Sequence, residues 1–190
     1  MKTLIVGNGS GYFRELQEIA RSNNLETIGV YGVDEASREM DRLNGDVLGF
    51  LVAIGDSSMR QIVFSQLTGK GFVPSDGVAH SSSSISPSAQ IGLGTHLNRL
   101  TSVGSDVRVG ENCQINRSCS IGHGARLGSH ISFGPGVTVC GQVEIGDGAF
   151  IGAGAVILPG LRVDPGSTIG AGAVVTRDVL AGVTVIGNPA

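Results

Sequence analysis

From Ile85 onward, every sixth residue of this chain is apolar. The series runs Ile85, Ile91, Leu97, Val103, Val109, Ile115, Ile121, Leu127, Phe133, Val139, Ile145, Ile151, Ile157, Val163, Ile169, Val175 and Ala181. Gly often follows directly, as at Gly92, Gly104, Gly110, Gly122, Gly128, Gly134, Gly146, Gly152, Gly170 and Gly182. The fourth residue after each apolar position is small or aliphatic, beginning Ala89, Thr95, Thr101, Val107, Cys113, Cys119 and Ala125. No α-helix has this period. Six residues do suffice for one short strand and one turn, with the apolar residue inward and Gly easing the corner. Three such units close a triangular coil of 18 residues. Stacked coils pair their backbones at about 4.8 Å. A one-dimensional stack of this kind needs capped ends, and 72–84 and the terminal Gly187-Asn188-Pro189-Ala190 are the candidates.

Composition suits such a coil. Gly makes up 31 of the 190 residues, Trp is missing, and aromatic residues are only 4%, so large rings do not fill the core. The net charge of −3 comes without any basic run, which argues against nucleic acid or a membrane surface as partner. The apolar start of MKTLIVGNGSG is too short for a signal-peptide core, and no segment has the length of a transmembrane helix. Three cysteines (Cys113, Cys119, Cys140) without CxxC spacing read as reduced, mostly buried side chains of a cytoplasmic protein.

Residues 1–71 follow another pattern. Strands are expected at Lys2–Val6, Glu26–Tyr31 and Leu48–Gly55, and helices at Phe13–Asn23, Ala36–Leu43 and Ser57–Thr68, the last capped by Asp56 or Ser57. Alternating β and α units imply a small parallel sheet with right-handed crossovers. The turn Gly7-Asn8-Gly9-Ser10-Gly11 stands where a Rossmann-type phosphate loop would, although Tyr12 occupies the third glycine position. Gly9, Ser10 and Gly11 could bring backbone N–H groups to a phosphate at a helix N-terminus. Asp34, in the loop after the second strand, could accept hydrogen bonds from a ribose or base. Gly55 lies at the same sheet edge, where open α/β sheets bind ligands.

The whole pattern resembles one subgroup of the hexapeptide-repeat acyltransferases, the sialic-acid O-acetyltransferases and the N-acetyltransferases of UDP-4-amino sugars such as bacillosamine precursors. The stretches that carry the likeness are GNGSG, VAIGD (52–56), INRSCSIGH (115–123), PGVTVCG (135–141), IGDGAFIGAGAVILPG (145–160) and VIGNPA. The resemblance implies a Rossmann-like acceptor-binding domain at 1–71, a linker and cap at 72–84, and a left-handed parallel β-helix at 85–190. It implies transfer of acetyl from acetyl-CoA, without a metal, to a nucleotide-linked amino sugar or sialic-type sugar. His123 falls on the general base and Ser132, Ala153 and Ala171 on cofactor contacts, with acetyl-CoA held between adjacent subunits of a homotrimer. The family usually has Asp or Glu after the catalytic histidine, where this chain has Gly124.

The repeat places His123 at an outward corner. Gly141 lies one coil further along, where a bare glycine leaves room for a thioester and offers an N–H to its carbonyl oxygen. A neutral imidazole there can take the proton from an attacking amine or hydroxyl. His130 reads as structural, and His80 and His96 receive no role. With Gly124 in place of the acid, a weak or inactive scaffold that binds without catalysis is the alternative. A gamma-type carbonic anhydrase shares the β-helix but needs three zinc histidines, and only His123 and His130 lie near each other in the sequence.

Overall fold

The six-residue period builds a parallel β-solenoid. The structure, a computed structural model, describes residues 2–7, 11–43 and 47–190. From β4 (Val78–Ala79) to β21 (Thr184–Val185) the chain forms two-residue strands in three parallel sheets of seven, six and five strands. We refer to them as faces I, II and III. Partners lie 18 residues apart, as in Gln114 with Ser132 on face I, Ser120 with Thr138 on face II and Arg126 with Glu144 on face III.

The second residue of each strand points inward. On face I, Leu97, Ile115, Phe133, Ile151 and Ile169 are all buried. The residue four positions later also points inward, as Cys113, Cys119, Ala125, Ala149 and Ala155 show. Long and short side chains thus alternate around each coil, which fills a narrow triangular interior without aromatic bulk. Burial pushes the Cys113 and Cys119 thiols up to about 11, so both stay protonated. Cys140 is half-buried.

The period fails at its last step. Val163 bridges Val179 and Thr168 pairs with Thr184, which makes the final coil two residues short and leaves Ala181 exposed. In this shortened coil the Asp178 carboxylate accepts from the Arg162 N–H at 2.8 Å. A backbone carbonyl serves that donor position in the coils below, as Leu161 does for Glu144. At the other end, β4 falls inside 72–84, so this segment already contributes the first rung of face I.

The N-terminal unit has the expected alternation. Its strands β1 (Lys2–Gly7), β2 (Glu26–Tyr31) and β3 (Val47–Ala53) form a parallel sheet in the order β2-β1-β3. Helix α1 (Gly11–Ser22) packs Phe13, Leu16, Ile19 and Ala20 on one face. Helices α2 (Gly32–Leu43) and α3 (Ser57–Gly69) cover the other, with Ala36, Val63, Phe64 and Leu67. Asp56 caps α3 by accepting from the Met59 N–H at 2.7 Å. Helix α2 begins earlier than expected because acidic residues fill its first turn, where the helix dipole favours them. Among the described residues, no helix is long and apolar enough to cross a membrane.

The unit docks on face I of the lower coils. Helix α1 follows the corner between faces I and II, with Glu18 paired to Arg99 and Glu15 to Arg117 one coil on. Three helical residues rise about 4.5 Å, close to one coil spacing of about 4.8 Å, so helix and solenoid stay in step. Tyr12 rests on His96 with ring centroids 5.3 Å apart. His96 is fully buried, and neither ring nitrogen has a hydrogen-bond partner among the described residues.

Burial pushes the His96 imidazole down from 6.5 to about 3. Between those limits the unfolded chain binds a proton that the folded chain refuses, so stability falls as pH drops through that window. Denaturant unfolding at pH 7 and pH 4.5 should show the loss. A His96→Gln variant should show a flatter acid side.

Candidate functional site

Three corners run the length of the solenoid, and the candidate residues divide among them. His123 and Gly141 occupy the corner between faces II and III, one coil apart. His123 is exposed, and its ring makes no hydrogen bond among the described residues. It lies over Gly141, where an added Cβ would stand 2.7 Å from Nε2 and 2.8 Å from Cε1. The empty space above Gly141 is therefore the seat of the imidazole. The backbone below is just as tight, since a Cβ on Gly122 would meet the Gly141 nitrogen at 2.5 Å. Two glycines let the turns stack closely, and the stack fixes where the histidine stands. Among the described residues the Gly141 N–H has no acceptor, which leaves a free donor beside the ring.

Gly124 has a φ of +65°. Asp106 and Gln142, one coil before and one coil after, adopt φ values of 58° and 60°. This corner therefore tolerates a side chain in that conformation, and no carboxylate follows His123 only because the residue is Gly.

Ala153 and Ala171 lie on a different corner, between faces I and II. Both are exposed, and a Cβ on Gly152 would meet the Ala171 nitrogen at 2.5 Å. Within one chain the fold does not bring these alanines to His123.

Ser132 stands apart from both corners, on face I. It is 3% exposed, and its Oγ accepts from Arg60 Nη2 at 2.8 Å. It begins a strand of face I under α3. Asp34 is also displaced, standing in the first turn of α2 rather than in a loop, exposed at the end of β2. Gly11 is the first residue of α1 and Gly55 follows β3, and a Cβ on either would meet nothing within 4 Å. The strand ends Gly7, Tyr31 and Ala53 are in register, so Gly11, Asp34 and Gly55 share one open sheet edge. Gly9 and Ser10 lie outside the described residues.

Gly7 has a packing role, since a Cβ there would strike the Phe13 ring at 2.3 Å. His130 is also structural. Its backbone takes a φ of 61°, its Nδ1 pairs with the Asn112 amide at 2.9 Å, and its carbonyl accepts from Arg60. Desolvation lowers its pKa. It occupies the corner between faces III and I, so His123 and His130 do not converge on a metal. Among the described residues, no cluster of three or more His, Cys, Asp or Glu could hold one.

Sequence reasoning missed Arg60. Its guanidinium is fully buried, and among the described residues it makes no salt bridge. It donates to the carbonyls of Ile54, Asn112, His130 and Ile131, to Gln114 Oε1 and to Ser132 Oγ, at 2.8 to 3.2 Å. The bond to Ile54 holds the sheet edge, and the others hold two successive coils. One signal was present, because Arg60 shares a helical stripe with Val63, Phe64 and Leu67 at inward-facing spacing.

The family description "Bacterial transferase hexapeptide (six repeats)" matches residues 132–159 and 142–177. These residues, in the upper coils of the solenoid, are similar to the repeats of that family. No curated protein matches it. Solved structures do, over nearly its whole length. The acetyltransferase domain of PglB from Neisseria gonorrhoeae in complex with acetyl coenzyme A is 26% identical, with a TM-score of 0.89 over 99% of this chain and 97% of that one. A mutant perosamine N-acetyltransferase from Caulobacter crescentus, in complex with CoA and GDP-perosamine, is 28% identical, with a TM-score of 0.89 over 98% and 94%. WeeI from Acinetobacter baumannii is 26% identical, with a TM-score of 0.81 over 100% and 98%. The likeness to sugar N-acetyltransferases among the hexapeptide proteins thus extends through the N-terminal unit as well as the repeat.

A methyl group at Gly141 has to displace the His123 ring, while the ring's exposure lets it swing away at little structural cost. Gly141→Ala should therefore lower the transfer rate by at least tenfold, within the range expected for misplacing a base. Its thermal unfolding should stay near that of the parent chain. An unchanged rate would remove His123 from its assigned place.

Proposed function

We propose that this chain is an acetyl-CoA-dependent N-acetyltransferase acting on a nucleotide-linked amino sugar, working as a homotrimer. The carrying observation is the column at the corner of faces II and III, where an exposed imidazole stands over a glycine, and neither the ring nor the glycine N–H has a hydrogen-bond partner among the described residues. The likeness to acetyltransferases bound to CoA, acetyl-CoA and GDP-perosamine supports both the donor and the class of acceptor. We read the solenoid as the left-handed β-helix of that family, and the N-terminal unit as a Rossmann-like domain that holds the acceptor at Gly11, Asp34 and Gly55.

In the proposed reaction, the acceptor amine attacks the thioester carbonyl carbon and a C–N bond forms. His123 takes the amine's proton. The Gly141 N–H stabilises the oxyanion. Collapse of the tetrahedral intermediate breaks the C–S bond, and the departing CoA sulfur takes the proton back from His123. Neither step requires a carboxylate beside the imidazole, although one would raise its basicity.

Trimerisation completes the site. Face II presents Ser84, Ser102, Ser120, Thr138, Val156 and Val174 outward, a small and uncharged surface. Face III carries Arg108, Arg126, Glu144 and Arg162, and face I is occupied below by the N-terminal unit. Packing three copies with face II toward the axis sets the His123–Gly141 corner of one against the Ala153–Ala171 corner of the next. The cofactor groove then lies between two subunits, and Gly-rich corners admit a slender pantetheine arm.

His123→Ala should cost about 10²–10⁴-fold in rate and leave acetyl-CoA binding intact, while His130→Ala loses much less. Gly124→Asp should raise the rate, since Asp106 already shows that an aspartate fits this corner conformation. Full activity in His123→Ala would favour the alternative of a scaffold that binds without catalysis. Light scattering should give a trimer, and an active monomer would refute the groove.

A further inference from the structure

Face I carries a ladder of outward-facing first residues, His96, Gln114, Ser132, Phe150 and Thr168, each in register with the next. The first three are covered by the N-terminal unit. Tyr12 covers His96, while Arg60 engages Gln114 and Ser132, and all three are buried. The cover then stops. Phe150, one rung above Ser132, is 42% exposed. It is the first open position on this face, and it presents an aromatic ring.

Its neighbours define what passes over it. Arg60 binds the Ile54 carbonyl with Nη1 and the Ser132 hydroxyl with Nη2. The open sheet edge at Gly55 is therefore tied to the rung directly beneath Phe150, about 4.8 Å away along the solenoid. On the other side, the strand of Phe150 runs through Ile151 and Gly152 into the Ala153 corner. Phe150 thus lies between the open sheet edge and the Ala153 corner, which in the proposed trimer faces the His123–Gly141 corner of a neighbouring subunit.

We infer that Phe150 is the floor on which the sugar ring of the acceptor lies, with its ring stacked against the apolar C–H face of a pyranose. This rests on the reading of the chain as a nucleotide-sugar acetyltransferase. With the nucleotide at the strand ends, the part of the acceptor that extends toward the transfer corner is the sugar. A deoxy pyranose offers a broad C–H face to the aromatic ring, whereas a charged or fully hydroxylated face loses solvation over it. Phe150 therefore selects for deoxy amino sugars and contributes little to binding of the nucleotide alone.

The test uses the full chain with Phe150→Ala, Phe150→Tyr and Phe150→Trp. The acceptors are GDP- and UDP-linked 4-amino sugars, with and without the 6-deoxy methyl, and free GDP and UDP serve as inhibitors. Phe150→Ala should raise the acceptor KM about tenfold, the scale of a lost aromatic stack. The acetyl-CoA KM and the inhibition by free nucleotide should stay within about twofold, and Phe150→Tyr should recover most of the loss. The natural chain has no Trp, so the emission of Phe150→Trp reports this position alone. It should shift with nucleotide sugar and stay silent with free nucleotide. If the parent chain transfers acetyl and Phe150→Ala leaves the acceptor KM unchanged, the platform falls while the enzyme reading stands. If the emission shifts with nucleotide sugar but no acceptor is acetylated, the platform stands and the transfer reading falls. Silence in both assays overturns both. Equal losses for free nucleotide and nucleotide sugar, or a changed oligomeric state in Phe150→Ala, overturn the sugar assignment.

Discussion

The vertical stacking of corners is the constraint on which everything else depends. Each coil hydrogen-bonds to the next through residues 18 apart, and the turns approach so closely that a Cβ at Gly104, Gly122, Gly134 or Gly152 would strike backbone atoms of the next coil at 2.5 to 2.8 Å. Close packing excludes side chains from one position of the corner and leaves the neighbouring position free to project outward. His123 is such a projecting residue, and Gly141 is the gap that receives it. The same rule that stacks the coils therefore sets the candidate base and the Gly141 N–H proposed to act with it in adjacent turns.

A second constraint joins the two parts of the chain. Arg60 brings a buried charge to the interface with no salt bridge among the described residues, and its donors are taken up by carbonyls and side-chain oxygens. Those acceptors come from the sheet edge and from two coils of face I. A guanidinium suits this task because its planar fork reaches several acceptors at once. It fixes the height at which the open sheet edge meets the solenoid, and Phe150 is the first uncovered rung above it.

The candidate chemistry is divided in a way that one subunit cannot resolve. His123 and Gly141 stand at one corner, Ala153 and Ala171 at another, and the open sheet edge beside a third element. A triangular prism points its corners away from one another. Convergence then requires a neighbouring prism, and the small uncharged residues of face II are the surface through which one can approach.

What the sequence determined by itself was everything tied to local period. The sixth-residue ladder gave the coil, its inward positions and the stacking of His123 on Gly141, because those contacts repeat at a fixed spacing along the chain. The β-α alternation of the first third was equally legible, with errors at element ends such as the start of α2 at Gly32 and the end of β3 at Ala53. The tertiary structure decided what depends on two distant segments meeting. Ser132 has the spacing of an outward residue, yet α3 covers it and Arg60 takes its hydroxyl. His96 and His130 look unassigned in sequence, yet one is sealed beneath Tyr12 and the other is anchored through Asn112 and Arg60. The apolar period runs on to Ala181, yet the last coil is two residues short and takes the Asp178 carboxylate as an acceptor where the coils below use a backbone carbonyl. In each case a side chain contributed from outside the repeat position itself takes part, and periodicity carries no information about such a partner.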